Sequence, residues 1–226
     1  MVKSVIFDFN GVLADDEWVH MQAFQAVARS EGLPVTEQDY FESYLPLSDR
    51  DLFTKLFARG ERPLEPDHLT SMVRGKAGHY YGILADEGRA SGESILFPGA
   101  REAIDAAAGI GPVAIASGAR REEIEFVLGK CGLLDRFHAI VAAEDVDMGK
   151  PDPEPYRKAA GLIGVAAADC IAIEDSIGGI ESARRAGLRC LAVEHSYPRS
   201  SLGGADWVIS RIDEFPSWLE ATQTVP

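Results

Sequence analysis

Apolar and polar positions follow two regimes along this chain. The run Val5-Ile6-Phe7 is cut short by Asp8, and Asn10-Gly11 turn the chain away, which predicts a buried strand over Lys3 to Phe7 ending in a loop. From Glu17 to about Arg89 the spacing is helical and no strand is evident. Trp18, Met21, Phe24, Val27 and Ala28 mark a first helix, broken at Gly32-Leu33-Pro34; Leu45-Pro46-Leu47-Ser48 opens another carrying Leu52, Phe53, Leu56 and Phe57; Leu69 to Leu84 continues in kind. The acids Asp15-Asp16-Glu17 read as a solvated turn and helix start, since carboxylates favour helix amino termini. The exit, Glu87 to Ser94, is rich in Gly, Ser and charge, as a hinge or linker would be.

From Ile95 the pattern alternates. Pro112 to Ala116, Ala139 to Ala142, Cys170 to Ile173, Arg189 to Val193 and Trp207 to Ile209 are strand-like, with helical stretches at Arg121 to Lys130, Pro153 to Leu162 and Ile177 to Ala186. Such βαβ order predicts an α/β fold with a parallel sheet and helices on both faces. The first strand belongs to that sheet, so the helical block is inserted after it.

Composition narrows the function classes. At 226 residues, 46% apolar and 26% charged, the chain suits a soluble globular protein of one large unit or a core with an insertion. No stretch approaches the ~18 uninterrupted apolar residues of a membrane span. The start, MVKSVIFDF, has no signal-peptide pattern, so the expectation is a cytoplasmic protein without a membrane partner, a monomer or small homo-oligomer. Cys131, Cys170 and Cys190 form no CxxC pair and read as reduced core fillers. With 22 basic against 36 acidic residues and a net charge of −14, no nucleic-acid partner is expected. A small phosphorylated substrate is not excluded, because a few local cations and a metal can invert the field in one cleft.

In an open α/β sheet the carboxyl ends of the strands face the ligand crevice, so polar residues there are candidates for chemistry. Asp8 follows the first strand, Ser117 follows Val113 to Ala116, Lys150 sits in Met148-Gly149-Lys150-Pro151, and Glu174-Asp175-Ser176 follows Ile171-Ala172-Ile173. Singly, Ser117 is a helix cap, Lys150 a solvated loop cation and Glu174-Asp175 turn acids ahead of Gly178-Gly179. Jointly they place a nucleophile, a hydroxyl, a cation and a metal-binding acid pair on one sheet edge.

These motifs, in this order, resemble the haloacid dehalogenase-like hydrolases, and the string Ile173-Glu174-Asp175-Ser176-Ile177-Gly178-Gly179-Ile180 is similar to their β-phosphoglucomutase and sugar-phosphatase branch. The resemblance implies a Rossmann-like core over 1–15 and 95–226 and an α-helical cap over 16–94 including linkers. It further implies that Asp8 attacks phosphorus to form an aspartyl-phosphate. Mg²⁺ would be held by Asp8, the Asn10 backbone carbonyl, Asp175 and Glu174. Ser117 would hydrogen-bond a phosphoryl oxygen, with Gly118 and Ala119 beside it as substrate-binding positions, and Lys150 would neutralise charge on the transferring group.

One position departs from the resemblance. The family's phosphotransferases usually carry a general acid and base, an aspartate, two residues after the nucleophile; this chain has Asn10, whose amide can do neither. Family dehalogenases also lack that aspartate but work without Mg²⁺, whereas Glu174-Asp175 suits a metal. In the inserted block, Arg50 lies in a stretch similar to the branch's specificity loop, Lys76 in a later helix and His20 on the first; all three are candidates for substrate contact as well as for surface positions. The reading is a Mg²⁺-dependent phosphatase, slowed by Asn10, acting on a small phosphorylated metabolite of the sugar-phosphate kind. A β-phosphoglucomutase-type phosphohexomutase and a catalytically silent phosphometabolite-binding protein stay open as alternatives.

Overall fold

The computed structural model describes residues 2–45, 47–85 and 95–223. The expected hinge at Glu87 to Ser94 lies outside the described residues. The chain divides into two compact units, one formed by Met1–Asp15 with Gly92–Pro226 and the other by Asp16–Ser91.

The first unit is built on a six-stranded parallel sheet: β1 (Ser4–Phe7), β2 (Val113–Ala116), β3 (Ala139–Val141), β4 (Cys170–Glu174), β5 (Arg189–Val193) and β6 (Trp207–Ile209). Their spatial order is β3-β2-β1-β4-β5-β6. The order reverses between β1 and β4, which makes the tips of those two strands the switch point where α/β sheets open a crevice. β1, β2 and β4 are buried at every position, as strands covered on both faces must be, while the edges β3 and β6 are only partly buried. These strands begin and end within a residue or so of the spans that the apolar runs predict.

The two faces of the sheet carry side chains of different size. Because successive residues point to opposite faces, the register Ile6↔Ala114, Ile6↔Ala172 and Ala172↔Cys190 sets Ile6, Ala114, Ala172 and Cys190 on one face. That mostly small face packs with Tyr156, Ala159 and Ala160 of α7 (Glu154–Ile163) and Ile180 and Ala183 of α8 (Ile177–Arg185). The other face presents Val5, Phe7, Ile115, Ile171 and Ile173 in the same register. There Phe7 meets Phe215 edge to face, with ring centroids 5.9 Å apart. Phe215 opens α9 (Phe215–Gln223), which packs on α5 (Ala100–Ala108); α6 (Arg121–Lys130) completes the set. The alternation pattern assigns neither α5 nor α9: the Ala-rich α5 has few large apolar residues to mark a period, and α9 follows the last strand closely.

The second unit is wholly helical in its described residues: α1 (Glu17–Ser30), α2 (Glu37–Ser43), α3 (Asp49–Arg59) and α4 (Pro66–Ala85). Phe24 is its hub, with ring centroids 5.9, 5.2 and 5.3 Å from Tyr40, Tyr44 and Phe53. α2 is short enough to escape a periodicity search, yet Thr36 and Asp39 cap it reciprocally. Ser48 does not open α3 but caps it from outside, its hydroxyl accepting from the Asp51 amide. No described helix is long and apolar enough to cross a membrane. Cys131, Cys170 and Cys190 are buried and not in disulfides, as core fillers should be.

The Phe7–Phe215 contact anchors α9 to the sheet. Phe215→Ala should therefore lower unfolding free energy by about 3–5 kcal/mol, the usual cost of emptying a buried phenylalanine site, measured by urea denaturation.

Candidate active site

Asp8 leaves the end of β1 at the switch point, where its amide donates to Ile173 O of β4 at 2.9 Å. The Asp8 carboxylate accepts from the Phe9 amide at 2.7 Å and pairs with Lys150 Nζ at 2.9 Å. The same ammonium reaches Glu174 Oε1 at 2.5 Å. Glu174 is fully buried and collects further donors: Tyr156 OH at 2.7 Å on the same oxygen, and the Asp175 amide, Ser176 amide and Ser176 Oγ at 3.1, 3.3 and 3.0 Å on the other. Asp175 is also buried and accepts from Ser196 Oγ. Asp8, Glu174 and Asp175 each offer an oxygen within 4.8 Å of the others.

Two glycines make room for this crowding. A Cβ at Gly179, in the first turn of α8, would overlap the Glu174 carboxylate. At Gly11 it would overlap the Asp175 carboxylate, and the backbone there has φ +76°, which favours glycine independently. In the sequence Gly11 reads as a turn former and Gly179 as part of a helical stretch, with neither marked as room for a carboxylate. The Lys150 loop is fixed from below, since the Asp147 and Met148 amides donate to the Glu154 carboxylate at 2.9–3.1 Å and Ser182 Oγ to Asp152 O at 2.5 Å.

Three carboxylates around one ammonium set the electrostatics. Burial raises the Asp8 pKa from 3.8 to about 6, with Lys150 opposing the shift and Glu174 adding to it. Burial, then the charges of Glu174 and Asp8, raise Asp175 to about 8. Burial also works against the Lys150 charge, but Asp8 and Glu174 outweigh it and hold the ammonium above its ordinary range.

Ser117 leaves the tip of β2, next to β1 in the sheet, buried, with its Oγ accepting from the Ala119 amide at 3.1 Å. Gly118 is exposed and Ala119 partly so, and Ala119 O accepts from the Ala143 amide at 2.9 Å. Asn10 forms an isolated bridge with Ala14 in the turn after β1. His20 and Lys76 come together inside the second unit: Lys76 is buried, its Nζ lies 3.1 Å from His20 Nδ1, and it is ion-paired to Asp49. His20 also stacks on Tyr80, whose hydroxyl donates to Asp16 at 2.6 Å. Arg50 is exposed on the first turn of α3 and makes no ion pair among the described residues. Tyr156 and Ser196 carried no signal in the sequence pattern: Tyr156 is polar chemistry on a helix defined by other residues, and Ser196 lies in the segment after β5.

Comparison with known proteins fits this arrangement. The model of the haloacid dehalogenase-like hydrolases matches residues 2–187, and the chain belongs to that family. The protein CbbY of Rhodobacter capsulatus is 32% identical over 100% of this chain and 98% of its own length. YhcW of Bacillus subtilis, a phosphatase by name, is 32% identical over 85% of this chain and 84% of its own. The crystal structure of a CbbY mutant from Rhodobacter sphaeroides, with asparagine in place of an aspartate and xylulose-1,5-bisphosphate bound, has a TM-score of 0.80 at 26% identity, covering 95% of this chain and 96% of that one. A β-phosphoglucomutase from Clostridium difficile shares the fold, with a TM-score of 0.82 at 22% identity over 99% and 98% of the two chains.

In the metal-free protein the raised carboxyls give a pH signature. Their folded pKa values exceed the unfolded one, so the folded state holds more protons and stability falls as pH rises from about 4 to about 8. Asp175→Asn should flatten that fall and leave the protein at least as stable as the parent at pH 8, measured by thermal unfolding in EDTA.

Proposed function

We propose that this hydrolase is a Mg²⁺-dependent phosphatase that cleaves a small phosphorylated metabolite of the sugar-phosphate kind through an aspartyl-phosphate. The observation that supports it most is the convergence of Asp8, Glu174, Asp175 and Lys150 at the sheet's switch point. The sugar bisphosphate held by the CbbY relative supports the substrate class.

In this reading an Asp8 oxygen attacks phosphorus, forming a P–O bond as the ester P–O bond breaks, and the leaving alkoxide takes up a proton. Water then attacks the acyl phosphate, releasing inorganic phosphate and restoring the Asp8 carboxylate. Lys150, hydrogen-bonded to Asp8 already, orients the nucleophile and offsets charge on the phosphoryl oxygens. Ser117 donates its hydroxyl to one of those oxygens, at the edge formed with Gly118 and Ala119. An all-oxygen donor set of Asp8, Glu174 and Asp175, joined by the Asn10 carbonyl, suits a hard divalent cation such as Mg²⁺, which would offset the repulsion between carboxylate and phosphate. In the inserted unit, which we read as the cap, Lys76 is already matched by Asp49 and His20, so of the two candidate cations there we assign exposed Arg50 to substrate contact.

Asn10 makes turnover slow, since no side chain at that position can protonate the leaving group. The Asp-to-Asn mutant of CbbY gives a precedent for a relative that carries such a substitution and binds a sugar bisphosphate.

The test is phosphate release from a panel of sugar phosphates with Mg²⁺. Asn10→Asp should raise turnover by about 10²–10⁴, the usual share of general acid and base catalysis. Asp8→Ala, in either background, should release no phosphate and trap no phosphoryl group by intact-mass analysis. If Asn10→Asp cleaves no ester while the parent binds one tightly, the chain is a binding protein instead.

A further inference from the structure

The segment after β5 touches two sides of the acid cluster at once. Ser196 Oγ donates to Asp175 Oδ2. His195, its neighbour, has Nδ1 2.9 Å from Gly11 O in the turn that follows Asp8. A carbonyl only accepts, so Nδ1 carries the hydrogen; Nε2 is then bare and accepts from the Ile212 amide at 3.4 Å. Both ring nitrogens are thereby used by a neutral imidazole, and the ring lies stacked on Phe97 with centroids 3.9 Å apart.

The two contacts are mechanically one. Gly11 and Asp175 are so close that a Cβ on Gly11 would overlap the carboxylate and come within 3.1 Å of Ser196 Oγ. Holding Gly11 by its carbonyl therefore also holds the wall against which the Asp175 carboxylate rests. The segment itself is anchored: Glu194 accepts from the Arg199 amide at 2.9 Å, from Arg199 Nε at 3.0 Å and from Ser210 Oγ at 3.2 Å. A hydroxyl on an exposed residue, aimed at a carboxylate that is only 5% exposed, contributes little to the core but fixes where the carboxylate oxygens point.

We propose that His195 and Ser196 are a positioning pair, Ser196 orienting Asp175 for the divalent cation and His195 locking the Asp8–Gly11 turn against it. The proposal rests on the metal-dependent reading above and adds residues to it. Partners that orient metal ligands typically change affinity by about 10–100-fold when removed, and an effect in that range is expected here.

The experiment is calorimetric titration of the full chain with Mg²⁺ alone, beside thermal unfolding in EDTA. Ser196→Ala should weaken Mg²⁺ binding by about 10-fold or more, while Ser196→Thr, which keeps the hydroxyl, should stay within about threefold of the parent. The metal-free melting temperatures of parent and both variants should coincide, separating orientation from folding. His195→Phe keeps a ring on Phe97 but loses the donor to Gly11, and should weaken Mg²⁺ in the same direction. If the parent binds Mg²⁺ and Ser196→Ala binds it equally well, the positioning role is overturned and the metal reading stands; unchanged binding in His195→Phe removes His195 from the pair. A parent that binds no Mg²⁺ overturns both.

Discussion

The Lys150 ammonium is the contact on which the rest of this site depends. It lies within hydrogen-bonding distance of Asp8 and Glu174, in a place where burial makes each carboxylate costly, and a third acid, Asp175, stands beside them. One positive charge cannot balance three negative ones. The excess shows in the raised pKa values of Asp8 and Asp175, and in the function proposed here a divalent cation would relieve it. Such a cluster opposes stability rather than supplying it, as buried charge generally does.

The sheet explains why the protein can hold it. Parallel strands end together, and the reversal between β1 and β4 is the point at which such a sheet opens a crevice. The mostly small side chains on one sheet face accompany α7 and α8, and α7 supplies Tyr156 to Glu174 while the first turn of α8 supplies Gly179 beneath it. Large side chains on the opposite face, with Phe7 against Phe215, make the other half of the core. An acid-rich edge is thus carried by a sheet whose central strands are buried on both faces.

The helical unit solves a similar problem more conservatively. Its buried Lys76 has Asp49 and His20 as partners, and Asp16 accepts from Tyr80. These groups are matched within the unit, in contrast to the acid excess around Lys150. A cation committed in this way is a poor receiver of a further anion, which is why exposed Arg50, rather than Lys76, is assigned to substrate in the proposed function.

Much of this was legible in one dimension. Apolar runs stopped by Asp8, Ser117 and Glu174 marked strand tips, because a buried parallel strand must be continuous and apolar and its end is the first place a charge can sit. Helical spacing at Trp18 to Ala28 and Leu52 to Phe57 marked the inserted unit, and the motif order led to the family. What the sequence could not decide are contacts between residues far apart along the chain: Tyr156 on Glu174, Gly11 and Ser196 on Asp175, Asp49 on Lys76. Local pattern reports which face a residue occupies. Only the register of the strands and the packing of α7, α8 and the segment after β5 on them determine which polar atom lies within hydrogen-bonding distance of another, and so whether a glycine is a turn or a space for a carboxylate.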